Sequence, residues 1–143
     1  MIRILLADDE RGIAEGVGFL LLNAPNPLAK EGIEIVGIAE DGEEGIALTK
    51  ELDPDLIISD VRMPVLDGLE MIERLNEETK QRPIPVKYIM LSGYAEFEYA
   101  RQAIRLGVRS YICKPVEEEE LYGAVRSLCL EIEKEREELQ RTA

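Results

Sequence analysis

The feature that most constrains this chain is a fivefold alternation of short apolar runs with amphipathic stretches, in which the runs lead into polar or charged residues. Residues 2–7 run into Asp8 and Asp9. Residues 33–38 form a second apolar run. Leu56-Ile57-Ile58-Ser59-Asp60 is a third, of the continuous kind expected for a strand buried on both faces. Residues 86–91 lead into Ser92, and residues 108–113 lead into Lys114. Between these runs the periodicity turns helical. Ile13, Val17, Leu20 and Leu21 share one spacing, Leu69, Ile72 and Leu75 another, and Phe97, Ala100, Ile104 and Gly107 trace a further helix and its end. Asn23-Ala24-Pro25-Asn26-Pro27 and Asp53-Pro54 are breakers. Asp41-Gly42-Glu43-Glu44 and Asp67-Gly68-Leu69-Glu70 both read as capping boxes, and Glu117 to Glu120 open a last helix whose dipole they complement.

Strands alternating with helices predict an α/β fold, a doubly wound parallel sheet of five strands with helices on both faces. In such sheets ligands bind outside the carboxyl ends of the strands. The length, 143 residues, suits one such domain. The longest apolar runs, such as Phe19-Leu20-Leu21-Leu22, fall far short of the ~20 residues a membrane-spanning helix needs. The start of the chain meets acids too early for a signal peptide, so a cytoplasmic location and no membrane partner are expected. A net charge of −13 repels phosphates and argues against direct nucleic-acid binding by this chain. Cys113 and Cys129 match no common zinc spacing and read as reduced, structural thiols. The chain contains no histidine, which excludes Ser-His-Asp and Cys-His nucleophiles and His-Glu-x-x-His zinc sites. Any phosphohistidine must come from another protein.

Placed on the expected sheet, Asp8, Asp9, Asp60, Ser92 and Lys114 all reach its carboxyl edge. Converging carboxylates repel one another and either take up protons or hold a cation. An oxygen-rich set of this kind suits Mg²⁺. A cation, an ammonium and a hydroxyl around a carboxylate meet the needs of phosphoryl transfer, which are positioning and neutralisation of the phosphoryl oxygens. Taken singly, Asp8 or Asp9 reads as a helix cap, Ser92 as a turn residue and Lys114 as a solvated charge. Their coincidence at four strand ends favours the functional reading.

These residues also carry a family resemblance. Ile4-Leu5-Leu6-Ala7-Asp8-Asp9-Glu10 resembles the acidic opening of two-component response-regulator receiver domains. Asp55-Leu56-Ile57-Ile58-Ser59-Asp60-Val61-Arg62-Met63-Pro64, followed by Asp67-Gly68, resembles their phosphoacceptor strand and loop. Met90-Leu91-Ser92-Gly93-Tyr94 resembles the hydroxyl strand, and Tyr111-Ile112-Cys113-Lys114-Pro115 the lysine strand. The resemblance covers roughly residues 2–127. It implies a flavodoxin-like, CheY-like strand order of 2-1-3-4-5. It implies that Asp60 accepts a phosphoryl group from a sensor histidine kinase. Asp9 and Asp60 would ligate Mg²⁺ directly, Asp8 through water and Arg62 through its backbone carbonyl. Ser92 would contact the phosphoryl group and Lys114 would pair with it. Ser92 and Tyr111 would move on activation, and the bond before Pro115 would be cis.

The run Ser92-Gly93-Tyr94-Ala95-Glu96-Phe97-Glu98-Tyr99-Ala100 is similar to receivers fused to AraC-type helix-turn-helix domains, which implies control of transcription through an output domain that these residues do not include. Residues 1–127 are therefore read as the receiver. Residues 128–143 are read as a helical extension, either a solvated tail or a connector that pairs with a second copy on phosphorylation. Leu121, Val125, Leu128, Ile132 and Leu139 form its heptad-like seam, interrupted by Glu135. The stretch 23–32 is longer than the family pattern. Two other readings compete. A haloacid-dehalogenase-like phosphatase would also use a strand-end Asp with Mg²⁺, but resembles Asp-x-Asp rather than the adjacent Asp8-Asp9. A receiver-like module that takes no phosphate is the other.

Overall fold

The structure is a computed structural model describing residues 1–93 and 97–142. Five parallel strands lie in the order β2-β1-β3-β4-β5. They are β1 (Ile2–Ala7), β2 (Ile33–Ala39), β3 (Leu56–Asp60), β4 (Lys87–Ser92) and β5 (Ser110–Cys113). The helices are α1 (Arg11–Leu22), α2 (Gly42–Leu52), α3 (Gly68–Glu78), α4 (Phe97–Arg105) and α5 (Glu118–Thr142). Among the described residues, no helix is long and apolar enough to cross a membrane.

Strand alternation divides the core into two layers. Ile4, Leu6, Leu56, Ile58, Ile89 and Leu91 face α1 and α5, where they meet Val17, Leu21, Leu121, Val125 and Leu128. Leu5, Ile57, Tyr88 and Met90 face the other way, toward Met71, Ile72 and Leu75 of α3 and Ala103 of α4. Three spacings behave differently from expectation. In α1 the buried positions are Ala14, Val17, Gly18 and Leu21, and Ile13 is exposed. In α4 only Ala103 is buried, while Phe97 and Ile104 face solvent. At Asp41 the side chain accepts from Glu44 N–H at 2.8 Å, but the Glu44 carboxylate accepts from Glu40 N–H at 2.7 Å rather than from Asp41. The reciprocal box closes only at Asp67 and Glu70.

The long stretch after α1 is packed rather than loose. Leu28 and Ala29 are buried in the core layer that also holds the inner faces of α1 and α5, and Gly32, at φ +83°, turns the chain so that its carbonyl accepts from Ile2 N–H at 2.9 Å. Burial along α5 also continues past Leu128, through Cys129 and Ile132 to Glu133. From Glu131 on, the helix is pinned to the amino-terminal ends of the strands. Lys87, only 6% exposed, pairs with Glu135 at 2.7 Å. Arg136 pairs with Asp55 at 2.8 Å and also with Glu31, and Arg109 meets Glu131 at 2.6 Å. Glu135, which interrupts the heptad-like seam, is the partner of a buried lysine.

Candidate functional site

The carboxyl edge of the sheet gathers the acids because β1 and β3 are adjacent and end level with one another. Asp8 follows the last residue of β1, and Asp60 is the last of β3. One carboxylate oxygen from each of Asp8, Asp9 and Asp60 can be chosen so that all three lie within 4.8 Å of one another. Asp8 is buried, Asp60 half-buried and Asp9 exposed. Asp8 serves two purposes. Its Oδ1 accepts from Glu10 N–H at 2.9 Å, which fixes the entry to α1, and its Oδ2 accepts from Lys114 Nζ at 3.1 Å. Asp60 is held similarly, with Oδ1 accepting from Val61 N–H at 2.8 Å and Oδ2 from Lys114 Nζ at 3.3 Å.

Lys114 reaches this point from the end of β5, where its N–H donates to the Ser92 carbonyl at 2.7 Å. Ser92 ends β4 and is fully buried. The Lys114–Pro115 peptide bond is cis. Tyr111 lies on β5 opposite Met90 and packs partly buried against the α3–α4 layer. Arg62 is in the loop after β3. Its Nε donates to Tyr99 Oη at 3.0 Å, and its guanidinium sits 5.7 Å from the centre of that ring. The pairing of Arg62 with Tyr99 had no signal in the sequence, since nothing in the spacing joins a loop arginine to a helix 37 residues later. Tyr94, Ala95 and Glu96 of the run singled out above lie outside the described residues.

Burial pushes the Asp60 carboxyl above its ordinary value and the neighbouring Asp8 charge adds to this, while Lys114 opposes them. Burial alone would lower the lysine, but hydrogen bonding to Asp8 and the charges of Asp60 and Asp8 carry it above its ordinary value, so it stays charged. A raised carboxyl pKa makes stability highest below the unfolded value, near 3.8, and erodes it as pH rises through the folded value. Asp60→Asn, which does not titrate, is therefore expected to melt increasingly above wild type as pH is raised from about 4 toward neutrality. Melting curves across that range check this; a difference that shrinks with pH would contradict it.

The model of the response regulator receiver domain family matches residues 4–126, and the chain belongs to that family. It is 33% identical over all 143 residues to the uncharacterized transcriptional regulatory protein YesN of Bacillus subtilis (strain 168), covering 36% of that protein. It is 35% identical over 122 residues, 85% of this chain, to the nitrate/nitrite response regulator protein NarL of Escherichia coli (strain K12), covering 52% of it. The chain thus spans between a third and about half of the length of these curated relatives. Among solved structures, the REC domain of AraT, a response regulator from Geobacillus stearothermophilus, is 32% identical with a TM-score of 0.79, over 94% of this chain and 98% of that one.

Proposed function

We propose that this receiver domain is a phosphorylation switch whose acceptor is Asp60. The observation that carries the reading is the Lys114 ammonium lodged between Asp8 and Asp60, at 3.1 and 3.3 Å, beside a third carboxylate. A positive charge is already in place where phosphoryl oxygens would arrive. Asp9 and Asp60, the Arg62 carbonyl and, through water, Asp8 would hold Mg²⁺, which would supply further positive charge against those oxygens. The donor set fits, because hard carboxylate oxygens from three residues converge there.

In the reaction, an Asp60 oxygen attacks phosphorus on a phosphohistidine of a sensor kinase. The new O–P bond forms as the N–P bond breaks, and the imidazole leaves with that electron pair and takes a proton from water. Lys114 then exchanges its contact with Asp60 for a phosphoryl oxygen, and Ser92 donates its hydroxyl to another. The pull on β4 and β5 biases a two-state element that includes Ser92, Tyr111 and Pro115. Residues 1–127, with the buried turns of α5 that follow them, carry this switch in the cytoplasm, and the remainder of residues 128–143 leads toward an output that governs transcription, with a phospho-dependent homodimer as one means of reading it.

Incubation with acetyl phosphate and Mg²⁺, followed by intact-mass spectra, tests the reading. A single long-lived phosphoryl adduct is expected. Steady release of phosphate with turnover would favour a phosphatase, and no adduct would favour an inert module.

A further inference from the structure

We propose that Gly42, the first residue of α2, is a positioning residue for the loop that carries the Arg62 carbonyl, acting through a hydrogen bond to Leu66. This deepens the reading of the site given above and rests on it.

The loop of residues 61–67 connects the phosphoacceptor strand to α3, and hydrogen bonds to its backbone groups set its path. Val61 N–H is bound to Asp60 Oδ1 at 2.8 Å, and Gly68 N–H donates to the Val61 carbonyl at 2.7 Å. Both of these are local in the chain, as is the bond from Leu66 N–H to the Pro64 carbonyl at 2.7 Å, which spans Val65. A further one is not. Gly42 N–H, from a different helix, donates to the Leu66 carbonyl at 2.9 Å. Just before that carbonyl, Val65 is exposed and held at φ +69°. A β-branched residue rarely adopts this conformation, which persists only where neighbours impose it.

Gly42 is able to approach so closely because it has no side chain. A Cβ built there would lie 2.7 Å from Leu66 Cβ and 2.9 Å from its carbonyl carbon, and nearer still to the carbonyl oxygen. Two of those three atoms are backbone and cannot swing aside. The helix behind Gly42 is itself fixed, since Asp41 caps it and Gly45 packs against Met71. The start of α2 is therefore the fixed point and the loop is the part that must yield. Displacing the Leu66 carbonyl shifts the turn at Val65, which the Leu66 N–H bond to the Pro64 carbonyl closes, and Met63 and Pro64 carry that shift to Arg62.

The test compares Gly42→Ala with Gly45→Ala in the full chain. A Cβ at Gly45 meets the buried side chain of Met71 and no atom of the loop, so it strains the same helix from its other contact. Mg²⁺ titrations followed by amide NMR shifts should show about tenfold or greater weakening in Gly42→Ala, as for other groups that support metal ligands, and near wild-type affinity in Gly45→Ala. The metal-free protein should also exchange the Leu66 to Gly68 amides faster in Gly42→Ala. Should that variant fail to fold, replacing the Gly42 amide by an ester deletes the donor and adds no Cβ, and the same weakening is expected. Gly42→Ala or the ester binding Mg²⁺ as tightly as wild type overturns the proposal, as does equal weakening in Gly45→Ala. If wild type and Asp9→Ala bind Mg²⁺ alike, or neither binds, it is the reading of the site itself that fails.

Discussion

Asp60→Asn should carry no phosphoryl group after treatment with acetyl phosphate and Mg²⁺ that loads the wild-type chain. Asparagine keeps the shape of the side chain, and its amide oxygen can still accept from Val61 N–H, as Asp60 Oδ1 does at 2.8 Å. What it loses is the ionised oxygen that attacks phosphorus, and an amide has no comparable nucleophile. The loss should therefore be complete rather than graded. Asp8 is no substitute, because it is the buried member of the cluster, 4% exposed, and out of reach of a phosphodonor. Asp9 is the exposed member of the cluster and the one to examine for any residual label. Intact-mass spectra with fragmentation decide the matter: an adduct at wild-type level on the variant would remove Asp60 from its assigned role.

Truncation after Leu128 is expected to have the largest effect on stability. It removes Cys129 and Ile132 from the core, both essentially inaccessible to solvent, and large-to-small changes at such sites cost about 2–5 kcal/mol. It also strips Lys87 of Glu131 and Glu135. Leaving a buried charge without its partner costs about 3–5 kcal/mol, the lower end being apt here because Glu135 is partly exposed. Together these approach the ~5–15 kcal/mol of a typical domain, so the shortened chain should be largely unfolded by far-ultraviolet circular dichroism at room temperature. A truncated protein melting within a few degrees of the full chain would show that the second half of α5 contributes little. Ile132→Ala alone should cost about 2–5 kcal/mol in denaturant melts.

The strand ends were legible because two constraints coincide there. The interior of a parallel sheet demands continuous apolar residues, so the acids at the ends of β1 and β3 and the lysine after β5 stand out against it. The contact of Lys114 with both Asp8 and Asp60 follows once the strand order is right. Surface helices were less readable. A helical spacing such as Phe97, Ala100 and Ile104 says that apolar residues share a face, but not that the face is covered, and in α4 Phe97 and Ile104 are exposed. The end of α5 was opaque for a different reason. Its partners, Glu31, Asp55, Lys87 and Arg109, are scattered along the chain, and each looks like an ordinary solvated charge until the fold brings them together. Gly42 read only as part of a cap, since a missing Cβ carries no signal until something is found in the space it would fill.

The route of α5 also bears on how the domain opens. An edge strand as short as β5, with four residues, would ordinarily be the first part of a sheet to fray. Here the chain continues from β5 into a helix whose far half is anchored to Asp55 and Lys87, at the beginnings of β3 and β4. Peeling away the edge with its helix means tearing those anchors from the two innermost neighbours on that side and uncovering Leu128, Cys129 and Ile132 together. The free energy of opening at this edge is thereby raised toward that of global unfolding, and β5 opens as one cooperative unit with β3 and β4.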